Sequence, residues 1–130
     1  MNKPISILFI EDSSNMSGVQ HSTLILIKEL MNSNKFSPKI LLPQYGEFSS
    51  ECDKLSIPYN IFNKSRFKST SIELFNGRVR ILNPFFIIIN FIKLAWETFK
   101  LRKYIVINSP EVVITKGLLT HIYGGISAKI

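Results

Sequence analysis

Short apolar runs alternate with helix-period segments along this chain, and that alternation admits few folds. Ile5–Ile10 is a nearly continuous apolar run of strand length, as expected for a strand covered on both faces of a parallel sheet. Glu11 to Gly18 reads as a polar loop. A helix follows, with Val19, Thr23, Leu26, Ile27 and Leu30 recurring on one face. Ser17 and Gln20 have capping-box spacing at its start, and Asn32 and Asn34 end it. Lys39–Leu42 is a second strand, stopped by Pro43. Phe48, Cys52 and Leu55 mark a short second helix, and Ile57–Phe62 is a third strand. Residues 63–80 form a basic, Ser-rich stretch with little structural signal, read as a loop. Pro84 opens a long helix from about Phe85 to Tyr104, proline being favoured in a first helical turn. Glu111–Thr115 is a fourth strand ended by Gly117, and a last helix starts at Leu118.

Strands that alternate with helices connect by right-handed crossovers. They therefore predict an α/β fold with a parallel sheet and helices on both faces. The expected strand order is 3-2-1-4, the first half of a doubly wound sheet. The fourth strand, with Val112, Val113 and Ile114, is then an apolar edge that invites pairing. At 130 residues the chain holds one domain or less, and it stops inside a helix without a closing signal. The expectation is a partial domain over residues 1–130 whose continuation lies elsewhere, on this chain or on a separate one.

Composition narrows the class further. With 45% hydrophobic and 19% charged residues the chain is too apolar to be disordered. One cysteine, Cys52, excludes an intrachain disulfide and fits a reducing compartment. The apolar run after Lys3 is too short for a signal peptide, so a cytoplasmic location is expected. The net charge of +7 is uneven: Lys64 to Lys103 holds nine basic residues against two acidic ones, and the remainder is balanced. An anionic partner would be felt on that segment.

Three groups of residues resemble a known pattern in order and spacing. They are Ile5–Ile10 with Asn15-Met16-Ser17-Gly18-Val19-Gln20 and the helix ending in Lys28-Glu29-Leu30, Pro38–Pro43 with Gly46-Glu47-Phe48 to Leu55-Ser56-Ile57-Pro58, and Pro110–Ile114 with Gly117-Leu118-Leu119. Together the chain is similar to the opening of family-4 (group 1) glycosyltransferases, over nearly its whole length except residues 63–83. The resemblance implies a GT-B fold, in which two Rossmann-like domains face a cleft. It implies that this segment is the acceptor side of an enzyme that moves a sugar from a nucleotide sugar to a glycan or lipid-linked acceptor, as in polysaccharide biosynthesis. The nucleotide-sugar domain, with its paired glutamates, has no counterpart here, so the segment is expected to be inactive alone. It also implies no cofactor beyond the donor substrate and a metal-independent reaction. Ser17 stands where the family has a first glycine, His21 where it has a basic residue, and Lys116 where it often has a histidine. The resemblance therefore assigns no catalytic base.

The candidate acceptor- or phosphate-binding residues are Asn15, Ser17, Gly18, His21, Lys116, Gly117 and His121, all at strand-to-helix turns on the ligand edge of such a sheet. Ordinary helix capping and exposed surface side chains explain the same positions without a ligand. Glu11 and Asp12 suggest the acidic pair of phosphoreceiver domains, but the third strand ends in Asn63-Lys64 rather than an aspartate. They are read instead as solvated loop carboxylates. One Cys and two His make no metal site. Phe85–Ile92 is apolar almost all round and flanked by basic residues, yet too short to span a bilayer. Arg78, Arg80, Phe85, Phe86, Phe91 and Lys93 are thus candidates for contact with an anionic membrane surface at the inner face. The alternative is a doubly buried helix, packed on the sheet through Phe85, Ile88, Ile89, Ile92 and Trp96, with Phe86, Ile87 and Phe91 under the missing half of the domain. Either way, a non-enzymatic remnant that binds a membrane or a partner through residues 78–103 is the competing function. Nucleic acid is not expected, because the aromatic residues are not interleaved with the charges.

Overall fold

The computed structural model describes residues 3–63, 67, 69–74 and 79–128. Four strands, β1 (Ile5–Ile10), β2 (Phe36–Leu42), β3 (Tyr59–Ile61) and β6 (Val112–Thr115), form a parallel sheet in the order β3-β2-β1-β6. This is the expected 3-2-1-4 arrangement, with β6 at the edge. Helices α1 (Gly18–Asn32) and α2 (Glu47–Lys54) connect β1 to β2 and β2 to β3 on one face. On the other face lie α3 (Pro84–Asn108), which leads into β6, and α4 (Leu118–Ala128), which packs on α3.

The central strands alternate their side chains between two cores. Ile7, Phe9, Ile40 and Leu42 meet Leu24 and Ile27 of α1 and Phe48 and Cys52 of α2. Leu8, Ile10 and Leu41 meet Leu101 and Ile105 of α3. Period-two alternation with both faces apolar is what makes β1 read as a continuous run. Burial pushes the Cys52 thiol up to about 12, so it sits in the core as an unreactive thiol. Pro38 is tolerated inside β2 because β2 extends past the start of β3. The Ile40 N–H donates to the Pro58 carbonyl, so the Pro38 nitrogen, two residues earlier, faces the same side where no strand stands to accept from it.

Several expectations need correction. The buried stripe of α1 is Gln20, Thr23, Leu24 and Ile27, whereas Val19 and Leu26 are exposed. On α2 the buried residues are Phe48, Ser49 and Cys52, and Leu55 is exposed while Ile57 takes the core position. The stretch read as a loop contains an antiparallel hairpin, β4 (Ser71–Leu74) with β5 (Val79–Leu82), in a separate two-stranded sheet. Its Ile72-x-Leu74 and Val79-x-Ile81 alternation was masked by the surrounding basic residues. The α3 start is as expected, with Pro84 in the first turn and the Asn83 side chain accepting from the Phe85 N–H. Its packing is not: α3 buries only Glu97, Leu101 and Ile105, and no residue of Pro84–Trp96 is buried. Phe85, Ile88, Ile92 and Trp96 therefore do not lie on the sheet.

Candidate functional site

The chain leaves β1 toward β2 on one side, while β6 lies on the other. The connections diverge at the carboxyl ends of β1 and β6, which is where open α/β sheets bind ligands. A crevice of about 310 Å³ opens there, between the β1–α1 loop, the first turn of α1 and the β6–α4 turn. Glu11, Asp12, Ser13, Ser17, Gln20, Lys116 and Gly117 line it, with Val19.

The walls are held by backbone and loop contacts. The Glu11 N–H donates to the Leu41 carbonyl at 3.0 Å and the Lys116 N–H to the Ile10 carbonyl at 2.8 Å, so the ladder continues to the crevice floor. The β1–α1 loop is stitched to the β2–α2 loop. The Phe48 N–H donates to the Ser14 carbonyl at 2.9 Å, Gln44 Nε2 to Ser14 Oγ at 3.1 Å, and the Met16 N–H to Glu47 Oε2 at 3.1 Å. Gly46 is needed for this closeness, since a Cβ there would stand 2.7 Å from the Ser14 carbonyl oxygen. At the opposite wall Gly117 has φ +102, and a Cβ would fall 1.8 Å from Asp12 Oδ2. The Asp12 carboxylate thus lies against a bare backbone turn.

Beneath the crevice is a polar relay. Gln20 Nε2 donates to Glu11 Oε2 at 3.3 Å, and the Ser17 hydroxyl donates to Gln20 Oε1. Thr23 Oγ1 is 3.2 Å from Glu11 Oε1 and 3.0 Å from the Val19 carbonyl oxygen. The expected capping box is absent, because Ser17 makes no side-chain cap to the helix amides and reaches Gln20 instead. Glu11 is 2% exposed rather than solvated as expected. Burial holds its carboxyl above the usual range, with Asp12 adding to the effect; hydrogen bonds to Thr23 and Gln20 and the Lys116 charge offset it in part. In the folded state Glu11 keeps its proton to higher pH than in the unfolded chain. Stability therefore falls as pH rises from the unfolded carboxyl range, near about 4.3, through the folded value. Glu11→Gln is expected to remove that fall, so that thermal melts between pH 4 and 8 show the variant gaining on the parent as pH rises.

Of the residues expected from sequence, the crevice brings together Ser17, Lys116 and Gly117. Asn15 is exposed on the preceding loop, where its N–H donates to Ser13 Oγ. Gly18 and His21 are exposed on the first turns of α1, outside the lining. His121 is exposed on α4, its Nδ1 2.6 Å from Thr115 Oγ1 at the end of β6. Sequence reasoning missed Glu11, Asp12, Ser13 and Gln20 as lining residues. The signal available was Gln20, a polar residue three positions before Thr23 on what proves to be the buried stripe. Among the described residues no group of three or more His, Cys, Asp or Glu is placed to hold a metal ion.

Of the membrane candidates, Phe85 and Phe91 are 63% and 71% exposed, Phe86 packs near Phe85 with ring centroids 6.1 Å apart, and Lys93 is half-buried. Arg80 lies in β5, and Arg78 lies outside the described residues. No helix among the described residues is long and apolar enough to cross a membrane.

No family model matches the sequence, and no curated protein does. Two solved structures share the fold. A glycosyltransferase from Rickettsia africae ESF-5 superposes with a TM-score of 0.62 at 19% identity, over 98% of this chain and 27% of that one. MurG of Acinetobacter baumannii superposes with a TM-score of 0.62 at 16% identity, over 97% of this chain and 32% of that one. At these identities the likeness is one of fold. The chain has the Rossmann-like architecture of part of a GT-B domain and spans about a third or less of these neighbours' length.

Proposed function

We propose that this chain is the acceptor-side part of a GT-B glycosyltransferase and that the crevice at the ends of β1 and β6 holds the acceptor glycan. One observation carries the reading: at the switch point of a glycosyltransferase-like fold, the crevice is lined by the hydroxyls of Ser13 and Ser17, the Asp12 carboxylate and the Lys116 ammonium, beside Val19. Such walls suit a polyhydroxylated ligand. The nucleotide-sugar site belongs to the facing domain of a GT-B enzyme, so this chain alone binds acceptor without transferring sugar. Saturation-transfer NMR of the full chain with di- and trisaccharides, run beside UDP-glucose, tests this. Glycan signals that vanish in Gly117→Val, with none from UDP-glucose, are the expected result. Binding of UDP-glucose and no glycan would retire the acceptor assignment.

A second reading concerns the projecting half of α3. Phe85, Ile88, Phe91, Ile92 and Trp96 are each at least 59% exposed, and Lys93, Lys100, Arg102 and Lys103 lie on the same helix. An apolar face beside cationic side chains fits an anionic lipid surface, each basic residue near it contributing about 1 kcal/mol. The full chain is expected to sediment with vesicles rich in phosphatidylglycerol and to release as salt rises. Replacing both Phe85 and Phe91 with serine should abolish binding. Equal binding to phosphatidylcholine vesicles at every salt concentration would refute the electrostatic share.

A further inference from the structure

Resting on the acceptor reading above, the geometry points to a defined polarity in the crevice: Ser17 offers lone pairs rather than a proton, so the site selects a ligand hydroxyl that donates, as in a sugar, over an anionic oxygen. A serine hydroxyl has one proton and can act either way. Here the proton is committed inward, to Gln20 Oε1. Gln20 is 5% exposed, and its amide is oriented by donation from Nε2 to Glu11 Oε2 at 3.3 Å. Reversing that amide would set its oxygen against an oxygen of Glu11.

The far end of the relay keeps this direction when Glu11 is ionised, and when it is neutral with its proton on Oε1. When Glu11 is ionised, Oε1 accepts from Thr23. With the proton on Oε1, that O–H donates to Thr23 Oγ1, whose own O–H donates to the Val19 carbonyl oxygen at 3.0 Å. In both cases Oε2 remains an acceptor for Gln20. At the near end, Ser17 lines the crevice and its side chain caps no helix amide, which leaves its lone pairs available to a ligand there.

The charged groups of the crevice agree. Asp12, seated against Gly117, is a second acceptor on the same rim, and Lys116 is the cation beside it. A phosphate oxygen seated between Ser17 and Asp12 would meet two acceptors for one cation. A vicinal diol matches the set: one O–H donates to Ser17, the other to Asp12, and a diol oxygen accepts from Lys116.

The test uses the full chain, ¹⁵N-labelled, with the methyl glycosides of glucose, galactose, mannose and N-acetylglucosamine, and with inorganic phosphate at matched ionic strength. At least one glycoside should shift the amides of Ser17, Gly18 and Gln20 saturably, and phosphate should not. Its monofluoro-deoxy analogue at the contacted carbon, which cannot donate, should bind about tenfold more weakly. Ser17→Ala should erase that ratio, binding parent and fluoro analogue alike, which a merely structural role for Ser17 would not do. Gln20→Met, with its fold checked by its melt, should free the Ser17 proton and raise phosphate affinity. If a glycoside binds at these amides but Ser17→Ala leaves the fluoro penalty unchanged, the polarity is wrong and the acceptor crevice stands. If phosphate saturates the site, or no glycoside shifts these amides, both are overturned.

Discussion

Replacing Phe9 with alanine is expected to cost about 3–5 kcal/mol of folding stability and to leave much of the chain unfolded at 37 °C. Phe9 is fully buried in β1, between β2 and β6, and packs in the core that joins Ile27 of α1, Ile40 of β2 and Phe48 of α2. Its removal opens a void that three elements would have to close at once. Small domains hold only about 5–15 kcal/mol in total, so a loss of this size consumes a large share. Phe91→Ala is the matched control, the same chemistry at a 71% exposed position, and should change stability by about 0.5 kcal/mol or less. Urea unfolding followed by circular dichroism reads both. Similar midpoints for the two variants would mean that β1 is not the centre of the fold.

Gly117→Val should have the second largest effect, and it should fall on the crevice as well as on stability. A side chain at φ +102 strains the backbone by about 1–3 kcal/mol. The new Cβ would also occupy the place of the Asp12 carboxylate, which must swing away and take its acceptor with it. Gly18→Ala is the contrast. A Cβ there meets nothing within 4 Å, and alanine favours a helix over glycine by up to about 1 kcal/mol. Thermal melts should therefore move in opposite directions for the two glycines, and only Gly117→Val should lose glycan binding. A Gly117→Val protein that melts like its parent would contradict the assigned backbone geometry.

The layer architecture was legible because the strands carry their own evidence. Ile5–Ile10 and Val112–Ile114 are apolar on both faces, Pro84 and Gly117 punctuate the helices, and alternation sets the topology. The faces of the helices were less legible. Hydrophobic period assigned Val19 and Leu26 to the α1 core, whereas the chain places Gln20 and Leu24 there, and Gln20 joins the expected Thr23 in satisfying Glu11. A buried polar relay defeats a rule that equates inside with apolar. The same rule overreached on α3, whose most hydrophobic turns are the ones left uncovered. In the candidate site, Ser17, Lys116 and Gly117 could be found from their positions at strand ends. Glu11 and Asp12 could not, because a carboxylate after a strand looks the same in sequence whether it meets water or a buried glutamine.

The seam between Ser14 and Gly46 constrains how this architecture can vary in length. A segment that both rims a crevice and buttresses its neighbour cannot gain or lose a residue without displacing α2 as well. Insertions in divergent versions of the fold should therefore accumulate between β3 and α3, and the opening turn should keep its spacing while its residue types drift.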